Sequence, residues 1–431
     1  MDLEDLRSFL SDHLNQQVVP FWLEHGVDWE HGGIYTFMRD DGTLVKRDKS
    51  IISNTRALWS FSALACRSED ADQLRQAADG IYGFLMANGR DEKGYWNFLV
   101  DEEGHTLIGE QSIITDAFAL YALVEYYRLS GKQEALDAAR QTYHSCWERL
   151  SRPGTYKTVL YPTPKGMKAH REAMQFSLMF FELGRELGDE EILERALAFS
   201  DDILNNFYRK DRRVLLEYIG LDNEARDTPE GRVMVPGHAI ESLWFQIHIR
   251  SSRELDDPAA ARRAAEAMRF CIEKGWDPDF GGIFLGIDAD GKYPPYWHFA
   301  DTKRWWVLCE ALCGVLLAYE QIREDWCLQW YWKIHDWTFS HFPDREHGEW
   351  IQNLDREGRP LLQSKVSPST VPPGKVPEST PDPDSSAGVK ELASQSGASE
   401  QWINYDLYIK DPFHLPRALI VATQTFDRLT R

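Results

Sequence analysis

A turn motif recurs along this chain, and that recurrence constrains the fold more than any other feature. Its fullest copies read Gly26-Val-Asp-Trp-Glu-His-Gly-Gly-Ile-Tyr35, then Asp40-Asp-Gly42, and Gly275-Trp-Asp-Pro-Asp-Phe-Gly-Gly-Ile-Phe284, then Asp288-Ala-Asp-Gly291. Shorter copies are Gly94-Tyr-Trp96 with Asp101-Glu-Glu-Gly104, and His347-Gly-Glu-Trp350 with Asp355-Arg-Glu-Gly358. The stretch Arg213 to Asn223 reads as a degenerate fifth copy. Alternating aromatic residues closed by an acidic turn ending in glycine signal a β-hairpin, because glycine supplies the positive φ of a tight turn. A unit repeated at near-constant spacing means one supersecondary element stacked several times.

Helical segments of two kinds alternate between the hairpins. Leu3–Asn15, Ala71–Asn88, Glu134–Leu150, Glu191–Asn206, Ala259–Lys274 and Cys327–His341 carry one apolar and one charged face. Thr55–Cys66, Thr115–Leu129, Ala173–Leu187, His238–Arg250, Lys303–Ile322 and Pro416–Leu429 are apolar nearly all round. The first kind belongs on the outside of a globule and the second is enclosed. Taking Arg56, Asp116, Met174, His238, Lys303 and His414 as anchors near the starts of the inner helices, the first four intervals are 60, 58, 64 and 65 residues. The last is 111, but residues 364–400 hold six Pro and nine Ser and no aromatic residue. Such a segment cannot bury enough apolar surface to offset its chain entropy, so it reads as a disordered insertion. Six helical hairpins closing on themselves predict an all-α fold, an (α/α)6 toroid with short β-hairpins at one mouth, as a single catalytic domain spanning 1–431. An open solenoid would share the local pairs, but inner helices this apolar do not suit an open concave face.

The remaining composition removes partners. With 69 acidic against 48 basic side chains and a formal charge of −21, the surface repels a phosphate backbone, and no local basic stripe offsets this. No apolar run approaches the roughly 18 residues of a membrane span. The acidic start Met1-Asp2-Leu3-Glu4-Asp5 lacks the pattern of a signal peptide. The six cysteines form no CxxC pair and read as structural thiols of a reducing cytoplasm. HExxH-type ligand spacing is absent, so neither a metal nor another cofactor is expected.

Polar residues at the starts of the inner helices would line the mouth. Arg56 opens the first, His238 follows the helix-breaking Pro236-Gly237 at the start of the fourth, and Glu241 lies three residues on, on the same face. Glu310 falls about two turns into the fifth, behind Trp305 and Trp306, and His414 precedes Pro416, a residue suited to a first helical position. A lone histidine at a helix start is usually structural. Two histidines, an arginine and glutamates on the inner helix ends of one ring are harder to dismiss, since buried charges are rare unless paired or functional. Lys165-Gly-Met-Lys-Ala-His-Arg171 reads as a solvated basic loop or an anion contact.

These residues bring a family into view. Asn54-Thr-Arg-Ala-Leu-Trp59, Gly237-His-Ala-Ile-Glu241, Lys303-Arg-Trp-Trp306 with Cys309-Glu-Ala311, Pro412-Phe-His-Leu-Pro-Arg417 and the hairpin beginning at Trp276 resemble the N-acylglucosamine 2-epimerase family, which also holds cellobiose 2-epimerases and mannose isomerases. The resemblance implies that His238 and His414 are the acid/base pair, that Arg56 binds the reacting oxygens, and that Glu241 and Glu310 support them. Trp305, Trp306, Lys303, Asp116 and Gln175 are the expected substrate-binding residues. Met174-Gln175 and Ile114 stand where the disaccharide enzymes tend to carry Met-His and Tyr, which points toward the N-acyl branch. A small-molecule sugar is the implied partner and a homodimer the implied assembly.

The residue types suit the chemistry. Inverting C2 of an open-chain aldose removes a weakly acidic proton beside the aldehyde, and a base with its pKa near working pH contributes about 10²–10⁴-fold. Histidine suits both halves of that cycle. The enediolate needs a cationic donor, for which Arg56 is the candidate. At a helix start the dipole favours neutral His238, while Glu241 is expected to fix its tautomer. Proton return to C2 gives an epimer and return to C1 a ketose, so an aldose–ketose isomerase on the same scaffold is the alternative. A glycoside hydrolase built on Glu241, Glu310 and Asp301, or a non-catalytic sugar-binding ring, are more distant readings.

Overall fold

The structure, a computed structural model, describes residues 3–68, 71–152, 154–159, 161–297, 299–361 and 409–430, so the expected insertion at 364–400 lies outside the described residues. Among these, twelve helices of eleven residues or more alternate as the sequence pattern requires. In chain order they are α1 (Leu3–His13), α2 (Ile51–Ala65), α3 (Asp72–Asn88), α4 (Ile113–Ser130), α5 (Gln133–Leu150) and α6 (His170–Leu187). Then follow α7 (Glu190–Asp202), α8 (Pro236–Arg250), α9 (Pro258–Gly275), α10 (Trp305–Ile322), α11 (Asp325–His341) and α12 (His414–Leu429).

The chain forms two compact units, Val18–Pro162 with Leu362–Phe413, and Met1–Gln17 with Thr163–Leu361 and His414–Arg431. In the first, α2 packs on α3 and α4, and α4 on α5. In the second, the larger, the inner helices follow one another, α6 against α8, α8 against α10, α10 against α12, with α7, α9, α11 and α1 packed on them. The division of labour is visible in burial. Thirteen of the 15 residues of α2 are buried, against eight of the 18 of α5, which separates an enclosed helix from a one-faced one.

Helix ends follow local chemistry. The Ser112 hydroxyl and the Asp189 and Asp257 carboxylates accept from Ile114, Ile192 and Ala260 N–H at the starts of α4, α7 and α9. Gly131 and Gly188 end α4 and α6 in the left-handed conformation, with φ of 68° and 63°. Short antiparallel strands aim the inner helices. Lys49–Ser50 pairs with Leu99–Val100 and runs directly into α2. Met167–Ala169 pairs with Tyr218–Gly220 ahead of α6, Val233–Met234 with Ile287–Asp288 ahead of α8, and Lys303–Arg304 with Asn353–Leu354 ahead of α10. The recurring hairpins thus fasten the N-terminal ends of the inner helices.

Two expectations change. The inner helices start two to four residues earlier than the hydrophobic pattern indicates, apart from α10, which begins after Lys303. Arg56 is therefore in the second turn of α2, and Pro416 is the third residue of α12, still within the turn whose N–H groups lack intrahelical partners. Contrary to the expectation that no apolar run reaches membrane-span length, α10 has 18 residues of mean hydropathy 1.3. Its window is 72% buried against the neighbouring helices and holds Glu310, so burial in protein accounts for its composition.

Candidate active site

The larger unit gathers two imidazoles, three carboxylates and a guanidinium. His238, third residue of α8, donates from Nδ1 to Glu217 Oε2 at 3.1 Å. His414, first residue of α12, donates from Nδ1 to Glu310 Oε1 at 2.6 Å. In both rings Nδ1, the nitrogen nearer the backbone, faces a carboxylate, and a neutral ring that donates from Nδ1 carries its basic lone pair on Nε2. The two rings meet one indole: Trp306 lies 5.3 Å from the His238 ring centre and 5.6 Å from that of His414, tilted by 33° and 40°. Trp297 stands edge-on to His238 at 6.1 Å, and Trp305 edge-on to His414 at 6.3 Å. The side chains of His238 and His414 keep 17% and 8% of their surface in contact with solvent, against none for Glu310.

Each carboxylate has its own set of donors. Glu310 accepts from His414, from Arg417 Nη2 at 2.7 Å and from Trp244 Nε1 at 2.8 Å. Arg417, one turn beyond His414, also bonds Glu241, so one guanidinium clamps two buried carboxylates. Its plane is backed by the ring of Trp244 at 5.2 Å. Glu241, Glu310 and His414 could in principle hold a metal ion. Arg417 already fills the space between the carboxylates with positive charge, so a metal there would have to displace a buried guanidinium. Glu217 is a different case. Burial would push its carboxyl up, but the neighbouring rings of His238 and His170 outweigh this and hold it well below the ordinary carboxylate range.

The expected site residues separate into groups. His238, His414, Glu241, Glu310, Trp305 and Trp306 belong to one constellation. Glu241, expected to fix the His238 tautomer, instead bonds Arg417, and the carboxylate at His238 Nδ1 is that of Glu217. Lys303 is fully buried, with Nζ 3.0 Å from Asp277 Oδ2 and 3.8 Å from the Phe284 ring. Burial lowers its ammonium to about 8 even beside Asp277. It pins the 275–284 hairpin to the strand ahead of α10. Gln175 is buried on α6, its Oε1 without a hydrogen-bond partner.

Arg56 and Asp116 belong to the first unit. Arg56 Nη1 donates to Asp411 Oδ2 at 2.9 Å, and the guanidinium lies over Phe118 at 4.2 Å, with 21% of the side chain exposed. Asp116 is fully buried and paired with Arg149, and burial pushes its carboxyl up to about 7 despite that partner.

The sequence reading missed the places of four residues. Arg417 was visible as the last residue of the Pro412–Arg417 motif but carried no role. Glu217 sat in the degenerate hairpin, where its signal was an acid inside the apolar run Val214-Leu-Leu-Glu-Tyr-Ile219. His170 and Arg171, read as part of a solvated loop or an anion contact, are buried beside the Glu217 carboxylate.

Comparison with known proteins places the chain in a family. Residues 32–371 match the family described as N-acylglucosamine 2-epimerase (GlcNAc 2-epimerase). The N-acylglucosamine 2-epimerase of Mus musculus is 27% identical over 367 residues, covering 82% of this chain and 85% of the mouse protein. The cellobiose 2-epimerase of Dictyoglomus turgidum is 28% identical over 392 residues, 85% of this chain and 95% of that protein. Among solved structures, cellobiose 2-epimerase from Spirochaeta thermophila superposes with a TM-score of 0.74 at 21% identity, covering 100% of this chain and 98% of the other. A D-mannose isomerase gives 0.68 at 19% identity over 82% of this chain and 91% of its own. At such identities the structural likeness establishes the fold, the all-α (α/α)6 toroid that the repeat implies. The match over most of the sequence establishes more: the chain belongs to the N-acylglucosamine 2-epimerase family.

Proposed function

We propose that the protein is a sugar 2-epimerase that interconverts N-acylglucosamine and N-acylmannosamine by proton abstraction at C2 through an enediolate. The observation that carries this reading is the pair of imidazoles, each with Nδ1 on a buried carboxylate and both against Trp306. Epimerisation needs a base on one face of C2 and an acid on the other, and two histidines from different helices supply them. As one ring takes the proton, its carboxylate stabilises the imidazolium, while the other ring delivers a proton to the opposite face. Trp306 offers a flat apolar wall shared by both. The assignment of Arg56 to the enediolate oxygens rests on its Asn54–Trp59 motif. The N-acyl preference rests on Met174-Gln175 and Ile114 and on the names of the mammalian relatives. The Arg417 clamp supports catalysis without a bound metal, and a cytoplasmic homodimer completes the reading.

The test is NMR of N-acetylmannosamine, N-acetylglucosamine, mannose and glucose incubated with the protein in heavy water. Deuterium at C2 of both N-acetyl sugars, with each forming the other, is the expected outcome. A ketose product would move the protein to the isomerase branch, and no exchange at C2 of any sugar would sink proton abstraction altogether.

A further inference from the structure

Glu217 is the one carboxylate of the constellation that comes from no helix, and its backbone is held at both ends. Its carbonyl accepts from His170 N–H, the first residue of α6, at 2.8 Å, and its own N–H donates to Val233 O, just ahead of α8, at 3.0 Å. The residue therefore bridges the starts of two inner helices, and its side chain has little freedom to leave its place. The groups facing the carboxylate are His238 from α8 at 3.1 Å, His170 from α6 at 3.8 Å, and Arg171 from α6, whose Nη1 is 3.8 Å from Oε1. Glu172 on α6 and the Tyr218 hydroxyl complete the charged and titratable surroundings through Arg171. Among these groups His238 alone is within hydrogen-bond reach. His170, fully buried, has its ring pushed by burial toward the neutral form, so it competes weakly for the carboxylate.

We propose that Glu217 is the positioning residue of His238: it holds the imidazole as the Nδ1–H tautomer, with Nε2 as its proton-accepting atom, and stabilises the imidazolium formed in turnover. This rests on the epimerase reading for its kinetic consequences but not for the tautomer. The anchoring of Glu217 to α6 and α8 makes the ring orientation a property of the resting fold rather than of the bound sugar. The sharing pattern is also lopsided, since the carboxylate under His414 is simultaneously clamped by Arg417 at 2.7 Å while Arg171 stays 3.8 Å from Glu217. More of the Glu217 charge is left for its histidine.

The experiment pairs Glu217→Gln with Glu217→Leu in the full chain. Glutamine keeps an acceptor for Nδ1–H but not the charge; leucine keeps neither. For Glu217→Gln, kcat should fall about 10–100-fold with KM within twofold, and the acidic limb of kcat/KM should move down by about one pH unit, the effect of removing a neighbouring carboxylate from an imidazole. Glu217→Leu should lose at least tenfold more. Long-range proton–nitrogen NMR on histidine-labelled protein reads the tautomer without substrate: Nδ1–H at His238 in the wild type, and a shift toward Nε2–H in Glu217→Leu, with circular dichroism confirming the fold. An unchanged tautomer and an unmoved pH limb in both variants would overturn the assignment. If the wild type shows no sugar exchange at all, the epimerase reading fails, while the tautomer measurement still decides the role of Glu217.

Discussion

His238 leans on a carboxylate delivered by a loop, whereas His414 leans on one embedded in a helix. Glu217 reaches His238 from the stretch between two short strands, its backbone tied to the starts of α6 and α8. Glu310 reaches His414 from the second turn of α10 and is gripped there by donors from α8 and α12. Among the described residues, the first arrangement gives its carboxylate one histidine within hydrogen-bond reach, with His170 and Arg171 each at 3.8 Å. The second divides a carboxylate among three donors, one of them a permanent cation. Two rings that look equivalent in a mechanistic scheme therefore rest in different electrostatic settings. The lesson is that equivalence of residue type does not imply equivalence of surroundings.

The harshest way to break the comparison is to remove each ring in turn. His238→Ala and His414→Ala should each lower epimerisation by roughly 10³-fold, within the range of general acid–base catalysis. Each variant should keep residual C2 deuterium exchange with only one epimer, read by NMR. Residual exchange with the same epimer in both variants would mean that the rings do not divide the two faces. Next in size is Arg417→Met, which strips the clamp from Glu241 and Glu310 and leaves two buried carboxylates without their cation. We expect a loss of about 3–5 kcal/mol in urea denaturation. A loss under about 1 kcal/mol would show that the second setting does not depend on the guanidinium.

The smallest effect sharpens the first setting. The Glu217 carboxyl is held below its ordinary value of 4.5, so it contributes stability that is present above that pH and lost as the pH falls further. Glu217→Gln lacks this term. Between pH 6 and pH 3 the wild type should lose on the order of 1–2 kcal/mol more than the variant by urea denaturation. Parallel pH curves would put the Glu217 charge outside the folding balance.

Much of the fold was legible because enclosed and one-faced helices differ in composition along their whole length. What was not legible lies at the helix starts. Ser53 and Asn54 are poor helix formers, yet they lie inside α2 because Asn54 accepts from Ile34 N–H at 2.7 Å and donates to Ser50 O at 2.8 Å. Hydrogen bonds to a distant hairpin outrank propensity there, and no local window contains them. In the site, His238, His414, Glu241 and Glu310 stood out as charges in apolar helices. Their pairings did not, since Arg417 and Glu241 are 176 positions apart. The pairing of Lys303, an expected substrate-binding residue, was hidden in the same way, since Asp277 lies 26 positions before it. The repeat held a clue, because Lys49 and Asp28 form the same buried pair at 2.7 Å behind the first full hairpin.

That fastening has a design consequence. Asp277 and Lys303 lock together the two ends of a chain excursion that includes Tyr293, four-fifths exposed, and Trp297, whose ring abuts His238. The excursion is also paired at Ile287–Asp288 with the strand ahead of α8, so it is the exposed stretch around Tyr293 that it offers for exchange. Its tip can be shortened, lengthened or repainted, altering what borders the imidazole, while the helix that carries Trp306 and Glu310 keeps its starting point.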